Sequence, residues 1–378
     1  MKLGFLYAGQ GSQHPGMGAD LYEAYPSFRE VFDAAQLDFD LKDVCFGEGD
    51  LIHQTRYTQP CMVAFAAGLT AVLKDAGIVP DVVAGLSLGE YSALHCAAVF
   101  DAKTAIELAA FRGKAMTEAA EGVESAMMAV LGLDREPLQA ACEAASDAGI
   151  VVIANYNCPG QLVIGGEKAA VEKAAALAKE AGAKRCMPLK VSGPFHTPLM
   201  APAGEALRGK FQELTFSEPS LPVIFNCLGD VKGDEAIPEL LVRQVQSSVY
   251  MEDSIRKMAD MGVDAIVEIG PARPSAALSA RPSPRSLFLP WRRWRMWRSS
   301  PPFSRIWRNK HEFCWKDRRR HRRQPRHWPR RVPGACQGRR QHRPLLRRQR
   351  SRSRRDGCPV RSPGREGNLR PLQCGGRR

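Results

Sequence analysis

A serine between two glycines, Gly85-Leu86-Ser87-Leu88-Gly89, follows the β-branched run that begins at Asp81. A helix-forming segment comes straight after it. Strand, glycine turn and helix in this order predict a nucleophile elbow, a turn so tight that only glycine fits beside the serine. The serine hydroxyl then projects above the sheet. The helix that starts there offers unpaired N–H groups, and that of Leu88 can face a developing oxyanion. The five residues alone are also common in plain turns; the strand-to-helix setting favours the chemical reading.

A serine hydroxyl needs a base, and the first 270 residues hold four histidines: His14, His53, His95 and His196. His95 falls two helical turns beyond Ser87 and is expected to point along the helix, away from it. His14 and His53 lie in polar, loop-like surroundings and read as surface residues. His196 follows a strand, in the turn Ser192-Gly193-Pro194-Phe195-His196-Thr197. A lone turn histidine is more often structural, so the residues by themselves leave the base open. Arg112 sits in an Ala-rich, apolar helical stretch, either as a solvated or capping charge or as a fork for a carboxylate. The loop Gly9-Gln10-Gly11-Ser12-Gln13 could cradle a phosphate or supply a second oxyanion donor. It lacks the Lys-Ser/Thr of a P-loop, which argues against a nucleotide.

The elements that must carry these residues follow from periodicity. Strands are predicted at 3–8 and 81–85, with helices around 18–36, 58–77, 87–98 and 102–120. This alternation implies a parallel α/β sheet with its site at the strand C-terminal ends. Residues 126–190 change rhythm: strand AMMAVLGL, helix 135–147, strands IVVIAN and QLVIG, helix 167–181 and strand KRCMPLKV. That βαββαβ order is a ferredoxin-like unit. A strand at 221–226, a helix near 237–259 and a strand at 265–270 return the chain to the first pattern. The expected division is a core of 1–124 and 191–271, an insert of 125–190, and a tail of 272–378.

Composition separates the tail from the rest. Of 54 Lys and Arg and 40 Asp and Glu, 33 and 4 fall in 271–378, leaving 21 and 36 in 1–270. The net charges are therefore +29 and −15, so the overall +14 describes neither part and excludes a basic-protein reading of the whole. All six Trp lie in the tail. The seven Cys of the first 270 residues are scattered, without CxxC spacing, and read as reduced thiols of a cytoplasmic protein. No run approaches the ~18 apolar residues of a membrane span, and the N-terminal apolar run is too short for a signal-peptide core.

Taken together, the segments resemble malonyl-CoA:acyl carrier protein transacylases. The strings that carry the resemblance are GQGSQ at 9–13, AGLSLGEYSAL at 84–94 and FRGKAM at 111–116. ANYNCPGQLVIGG at 154–166, VSGPFHTPLM at 191–200, LLVRQVQSSV at 240–249 and VEIGP at 267–271 continue it in family order. The resemblance implies a hydrolase-like core with a ferredoxin-like insert. It implies that Ser87 takes the acyl group as an ester, and that His196 is general base and then acid. The main-chain carbonyl of Gln244 would orient His196, the N–H groups of Gln10 and Leu88 would form the oxyanion hole, and Arg112 would pair the malonyl carboxylate. It further implies malonyl-CoA as donor, acyl carrier protein with its phosphopantetheine thiol as acceptor, a monomer, and neither metal nor cofactor. No membrane or nucleic-acid partner is expected for the folded body. Two positions depart from the family. Leu86 replaces the usual histidine, for which altered packing near the acyl pocket is expected, and Gly165 stands where a serine or alanine often precedes the final glycine, here Gly166.

The tail reads as out-of-frame translation. With degenerate codons for Pro271 to Ala280, one inserted G yields Pro-Gly-Lys-Ala-Leu-Ser-Gly-Phe-Val-Arg, the continuation the family would have. Residues from Phe313 onward recode in another frame to a strand, Gly-rich turn and helix start. These resemble a 3-oxoacyl-carrier-protein reductase, which ties the chain to fatty-acid synthesis. The tail is therefore expected to be disordered. Three rivals stand beside the transacylase reading. A polyketide acyltransferase would share every motif, an esterase or thioesterase would not need Arg112, and an Arg- and Trp-rich arm could bind nucleic-acid phosphates.

Overall fold

The apolar run that leads the sequence becomes a central strand, β1 (Leu3–Tyr7), of a parallel sheet. The structure is a computed structural model and describes residues 1–271, together with the backbone of 287–290. After β1 come α1 (Ala19–Ala24), α2 (Pro26–Ala34), α3 (Leu41–Phe46) and α4 (Thr55–Asp75). The strand β2 (Val82–Gly85) leads into α5 (Gly89–Cys96) and α6 (Ala102–Ala120). The smaller sheet follows: β3 (Ser125–Leu131), α7 (Arg135–Ala144), β4 (Val151–Cys158), β5 (Gln161–Glu167), α8 (Lys168–Glu180) and β6 (Arg185–Pro188). The chain closes with α9 (Ala201–Phe211), β7 (Val223–Phe225), β8 (Asp230–Val231), α10 (Ile237–Val245), α11 (Met251–Asp260), β9 (Ala265–Ile269) and β10 (Leu287–Pro290).

The large sheet has the order β10-β9-β1-β2-β7-β8, parallel except for β8. Its inner strands are nearly all apolar because helices cover both faces. The buried α4 packs across one face, with Phe65 and Leu69 in the same core as Phe5 and Tyr7. The small sheet, β4-β5-β3-β6, is antiparallel and keeps its own core of Val130, Leu138, Ile153, Leu162 and Ile164 under α7 and α8. Alanines 170, 174 and 178, spaced four apart, give α8 a flat face that lets it lie close on the sheet. Gly166 has φ 154°, and a Cβ there would stand 2.0 Å from the Ile150 carbonyl oxygen, so only glycine fits the pairing of β5 with β4. The two sheets are tied at Val249, which donates to Ala154 O (2.9 Å) and accepts from Tyr156 N (2.8 Å). Tyr156 stacks on Tyr250 at 4.9 Å, and Arg135 pairs with Glu252 and Asp253.

Four expectations change. The helix read over 18–36 is two helices, broken at Tyr25 because Pro26 forces an extended residue before it. The helix near 237–259 is also two, since the chain turns at 246–250 to bring Val249 against β4. The helix after Ser87 begins only at Gly89, because Ser87 lies at φ 53°. The tail, expected to be disordered throughout, contributes one strand: Leu287–Pro290 pairs in parallel with β9. An apolar four-residue run satisfies the open edge of β9, and Pro290 is tolerated because β10 is itself an edge. The remainder of 272–378, and with it the frameshift and nucleic-acid readings, lies outside the described residues.

Candidate active site

The turn around Ser87 is set by two close backbone approaches. A Cβ on Gly85 would stand 2.0 Å from the Gly89 carbonyl carbon, and one on Gly89 would stand 2.3 Å from Tyr7 O. Both positions therefore require glycine, and the tight turn between them drives Ser87 to φ 53°. The loop after β1 lies against this turn, since a Cβ on Gly9 would meet Leu86 O at 2.6 Å. Leu86 donates its N–H to Tyr7 O and packs on the apolar cluster of Leu6, Val82, Ala84 and Ile224. The residue that departs from the family pattern thus buttresses the sheet.

His196 comes from the segment that leaves the small sheet and re-enters the large domain. It too has positive φ, 61°, in a turn closed by a hydrogen bond from Thr197 Oγ1 to Pro194 O (2.6 Å). Its ring is almost wholly buried. Nδ1–H donates to the main-chain carbonyl of Gln244 at 2.9 Å, leaving Nε2 as acceptor for the Ser87 hydroxyl at 2.6 Å. The carbonyl fixes the tautomer a base requires, a task that needs no carboxylate. Burial, and then the Arg112 charge, push the imidazole down to about 4, so it is a free base at neutral pH.

Arg112 is buried at 1% exposure, although its helix is otherwise apolar and alanine-rich. Its terminal nitrogens donate to Gln59 Oε1 (2.9 Å), Gln244 Oε1 (3.0 Å) and Ser87 Oγ (3.3 Å), and its guanidinium lies 5.4 Å from the centre of the Tyr91 ring. All three acceptors are neutral. Arg112 forms no ion pair among the described residues, and its Nε has no hydrogen-bond partner. The nearby Glu90 is no full counter-charge, because burial raises its carboxyl to about 8. A buried cation beside the serine, held only by amide and hydroxyl oxygens, is able to receive an anion.

Gln10 follows β1 and donates its side-chain amide to Thr55 Oγ1 (3.0 Å), which in turn bonds Ser192 Oγ (2.8 Å). Neither the Gln10 N–H nor the Leu88 N–H has an acceptor among the described residues, which leaves both available to an oxyanion. The structure thus brings together Ser87, His196, Gln244 and Arg112, with Gln10 and Leu88 alongside. The other histidines stand apart: His95 bonds the Phe100 carbonyl, His14 the Pro15 and Pro271 carbonyls, and His53 is exposed. Gln59, Glu90 and Asn226 belong to the site but were missed in the sequence. Each is a polar residue in an apolar segment, the signal by which it could have been found.

Comparison with known proteins agrees with this geometry. The acyl transferase domain family matches residues 4–277. The chain belongs to this family. The acyltransferase is 42% identical over 277 residues to the malonyl CoA-acyl carrier protein transacylase of Bacillus subtilis strain 168, covering 72% of this chain and 87% of that protein. It is 41% identical over 287 residues to the transacylase of the same name from Escherichia coli K12, covering 74% and 92%. Among solved structures, the crystal structure of MCAT from Streptococcus pneumoniae matches with a TM-score of 0.72 at 42% identity, over 76% of this chain and 95% of that one. A malonyl-transacylase solved in complex with its type II PKS acyl-carrier protein matches with the same TM-score at 37% identity, over 77% and 96%. The acyltransferase therefore has the hydrolase-like core and ferredoxin-like insert that its sequence implied.

Proposed function

We propose that this acyltransferase moves a malonyl group from malonyl-CoA to the phosphopantetheine thiol of acyl carrier protein, by way of an ester on Ser87. The observation that carries the reading is the Arg112 guanidinium, buried without an anionic partner and 3.3 Å from Ser87 Oγ. A donor with a free carboxylate a few bonds from its thioester would fill both positions at once, whereas acetyl-CoA would leave the cation unpaired. The names of the relatives support the same donor and acceptor.

In the first half-reaction His196 Nε2 takes the Ser87 proton as Oγ attacks the thioester carbonyl. The charge on the carbonyl oxygen falls to the N–H groups of Gln10 and Leu88. The C–S bond breaks, and His196 returns the proton to the departing CoA sulfur. In the second half-reaction the carrier-protein thiol gives its proton to His196 and its sulfur attacks the Ser87 ester. Oγ leaves and recovers the proton. Arg112 grips the malonyl carboxylate through both halves. We read the setting as fatty-acid synthesis in the cytoplasm, with the chain acting as a monomer and without metal or cofactor; no described helix is long and apolar enough to cross a membrane.

The test is malonyl transfer by the full chain from labelled malonyl-CoA to carrier protein bearing phosphopantetheine. Label on the carrier protein, with parallel-line kinetics, is expected. Release of free malonate in its place would mark a thioesterase.

A further inference from the structure

Ser87 at φ 53° is in the left-handed region, which a residue bearing a Cβ adopts only under strain, so its backbone must be held from outside. Strand pairing stops short of it: β2 and β7 are in register at Val83–Val223 and Ala84–Ile224. Two residues past that last pair stands Asn226, fully buried. Its Oδ1 accepts the Ser87 N–H at 2.5 Å, and its Nδ2 donates to the Gly85 carbonyl at 2.6 Å. A carboxamide carries the same donor and acceptor as a peptide unit, so the side chain stands in for the next rung of the sheet.

The backbone of Asn226 is fixed in turn. Its N–H donates to Glu90 Oε2 at 2.6 Å, and its carbonyl accepts from Tyr250 N at 2.9 Å. Glu90 lies in the first turn of α5, the helix that Ser87 introduces, so the brace returns to the element it steadies. Glu90 is fully buried and its second oxygen has no partner, a costly arrangement to keep.

We propose that Asn226 is a positioning residue for acyl transfer, extending the sheet ladder across the nucleophile turn so that Ser87 Oγ stands between His196 and Arg112. The proposal rests on Ser87 being the nucleophile. Asn226 bonds neither His196 nor Arg112, so its loss should slow ester formation and spare malonyl binding.

The experiment is single-turnover malonylation of the full chain, followed by mass spectrometry, for the unsubstituted protein, Asn226→Ala and Asn226→Asp. At saturating malonyl-CoA the alanine variant is expected to acylate about 10²-fold more slowly, the scale of a misplaced reacting group. Its half-saturating concentration should change little. The aspartate variant supplies a readout that general damage would not give. Its protonated carboxyl offers both a donor and an acceptor, and its ionised form offers only acceptors. Its rate relative to the unsubstituted chain should therefore rise as pH falls from 8 to 6, a range in which His196 stays a free base. An unsubstituted chain that forms no malonyl-enzyme would overturn the Ser87 reading itself. If that chain acylates, equal rates for Asn226→Ala or a pH-independent ratio for Asn226→Asp would overturn the positioning role. Should the alanine variant fail to fold, the aspartate trend decides alone.

Discussion

Ser87 Oγ and Arg112 are 3.3 Å apart, so the cation that would hold the far end of the acyl group touches the atom that would carry its near end. The same guanidinium is held by Gln59 and Gln244, two neutral side chains that fix its direction without cancelling its charge. Gln244 serves twice more. Its carbonyl holds His196, and its Nε2 donates to Ser87 O at 2.8 Å. Ser87, His196 and Arg112, the proposed nucleophile, base and anion receptor, are thereby registered to one another through a single residue at the end of α10.

Arg112→Ala should lower kcat/KM for malonyl-CoA by roughly 10²-fold, the scale of one or two charge-assisted hydrogen bonds. The value for acetyl-CoA should change far less, so the malonyl preference collapses. Side-by-side kinetics with the two donors check this, and an unchanged preference would refute the anion-receptor role. Arg112→Lys should recover only part of the loss, because an ammonium cannot reproduce the fork that Gln59 and Gln244 hold.

Activity should persist well below the ordinary histidine range. Because burial and the Arg112 charge hold the His196 imidazole down at about 4, the base is already deprotonated at pH 6. The acid limb of kcat/KM, which reports the free enzyme, should fall as pH approaches 4 and not near 6.5. Removing the Arg112 charge favours the imidazolium, so Arg112→Ala should move that limb to higher pH. A limb near 6.5 in the unsubstituted protein would show His196 to be solvated, contrary to its burial.

Glu90 should make stability fall as pH rises. Its carboxyl is raised from 4.5 to about 8 by burial, so the folded state binds this proton more tightly than the unfolded chain does. That contribution is complete below about 4.5 and is lost as pH rises toward 8. Glu90→Gln keeps an oxygen acceptor for the Asn226 N–H and cannot ionise. The difference in Tm between Glu90→Gln and the unsubstituted chain should therefore grow in the variant's favour from pH 5 to pH 8. A difference that is constant with pH would contradict the buried-carboxyl account.

Much of the site was legible because its chemistry is written in short, local patterns. Gly85 is dictated by a backbone contact within five residues, at Gly89, and the strand and helix flanking the turn are strongly patterned, although Gly89 itself answers to the distant Tyr7 carbonyl. His196 was the better histidine on position but could not be joined to Ser87 by residue type alone. The pairing at 2.6 Å spans more than a hundred residues of chain. Asn226, Gln59 and Glu90 escaped for the same reason. Each acts through a partner distant in sequence, and a polar residue in an apolar segment marks the position without naming that partner. The fold shows the same division. The βαββαβ unit followed from periodicity, whereas the breaks at Tyr25 and at 246–250 depend on how one segment meets another.

The measurement closest to the central claim is the mass of the full chain after brief exposure to malonyl-CoA without carrier protein, followed by mapping of the modified peptide. The account predicts one malonyl group, bound as an ester on Ser87, lost when carrier protein bearing phosphopantetheine is added, and absent from Ser87→Ala. A malonyl adduct of equal yield in Ser87→Ala, or one mapped to another residue, would contradict it.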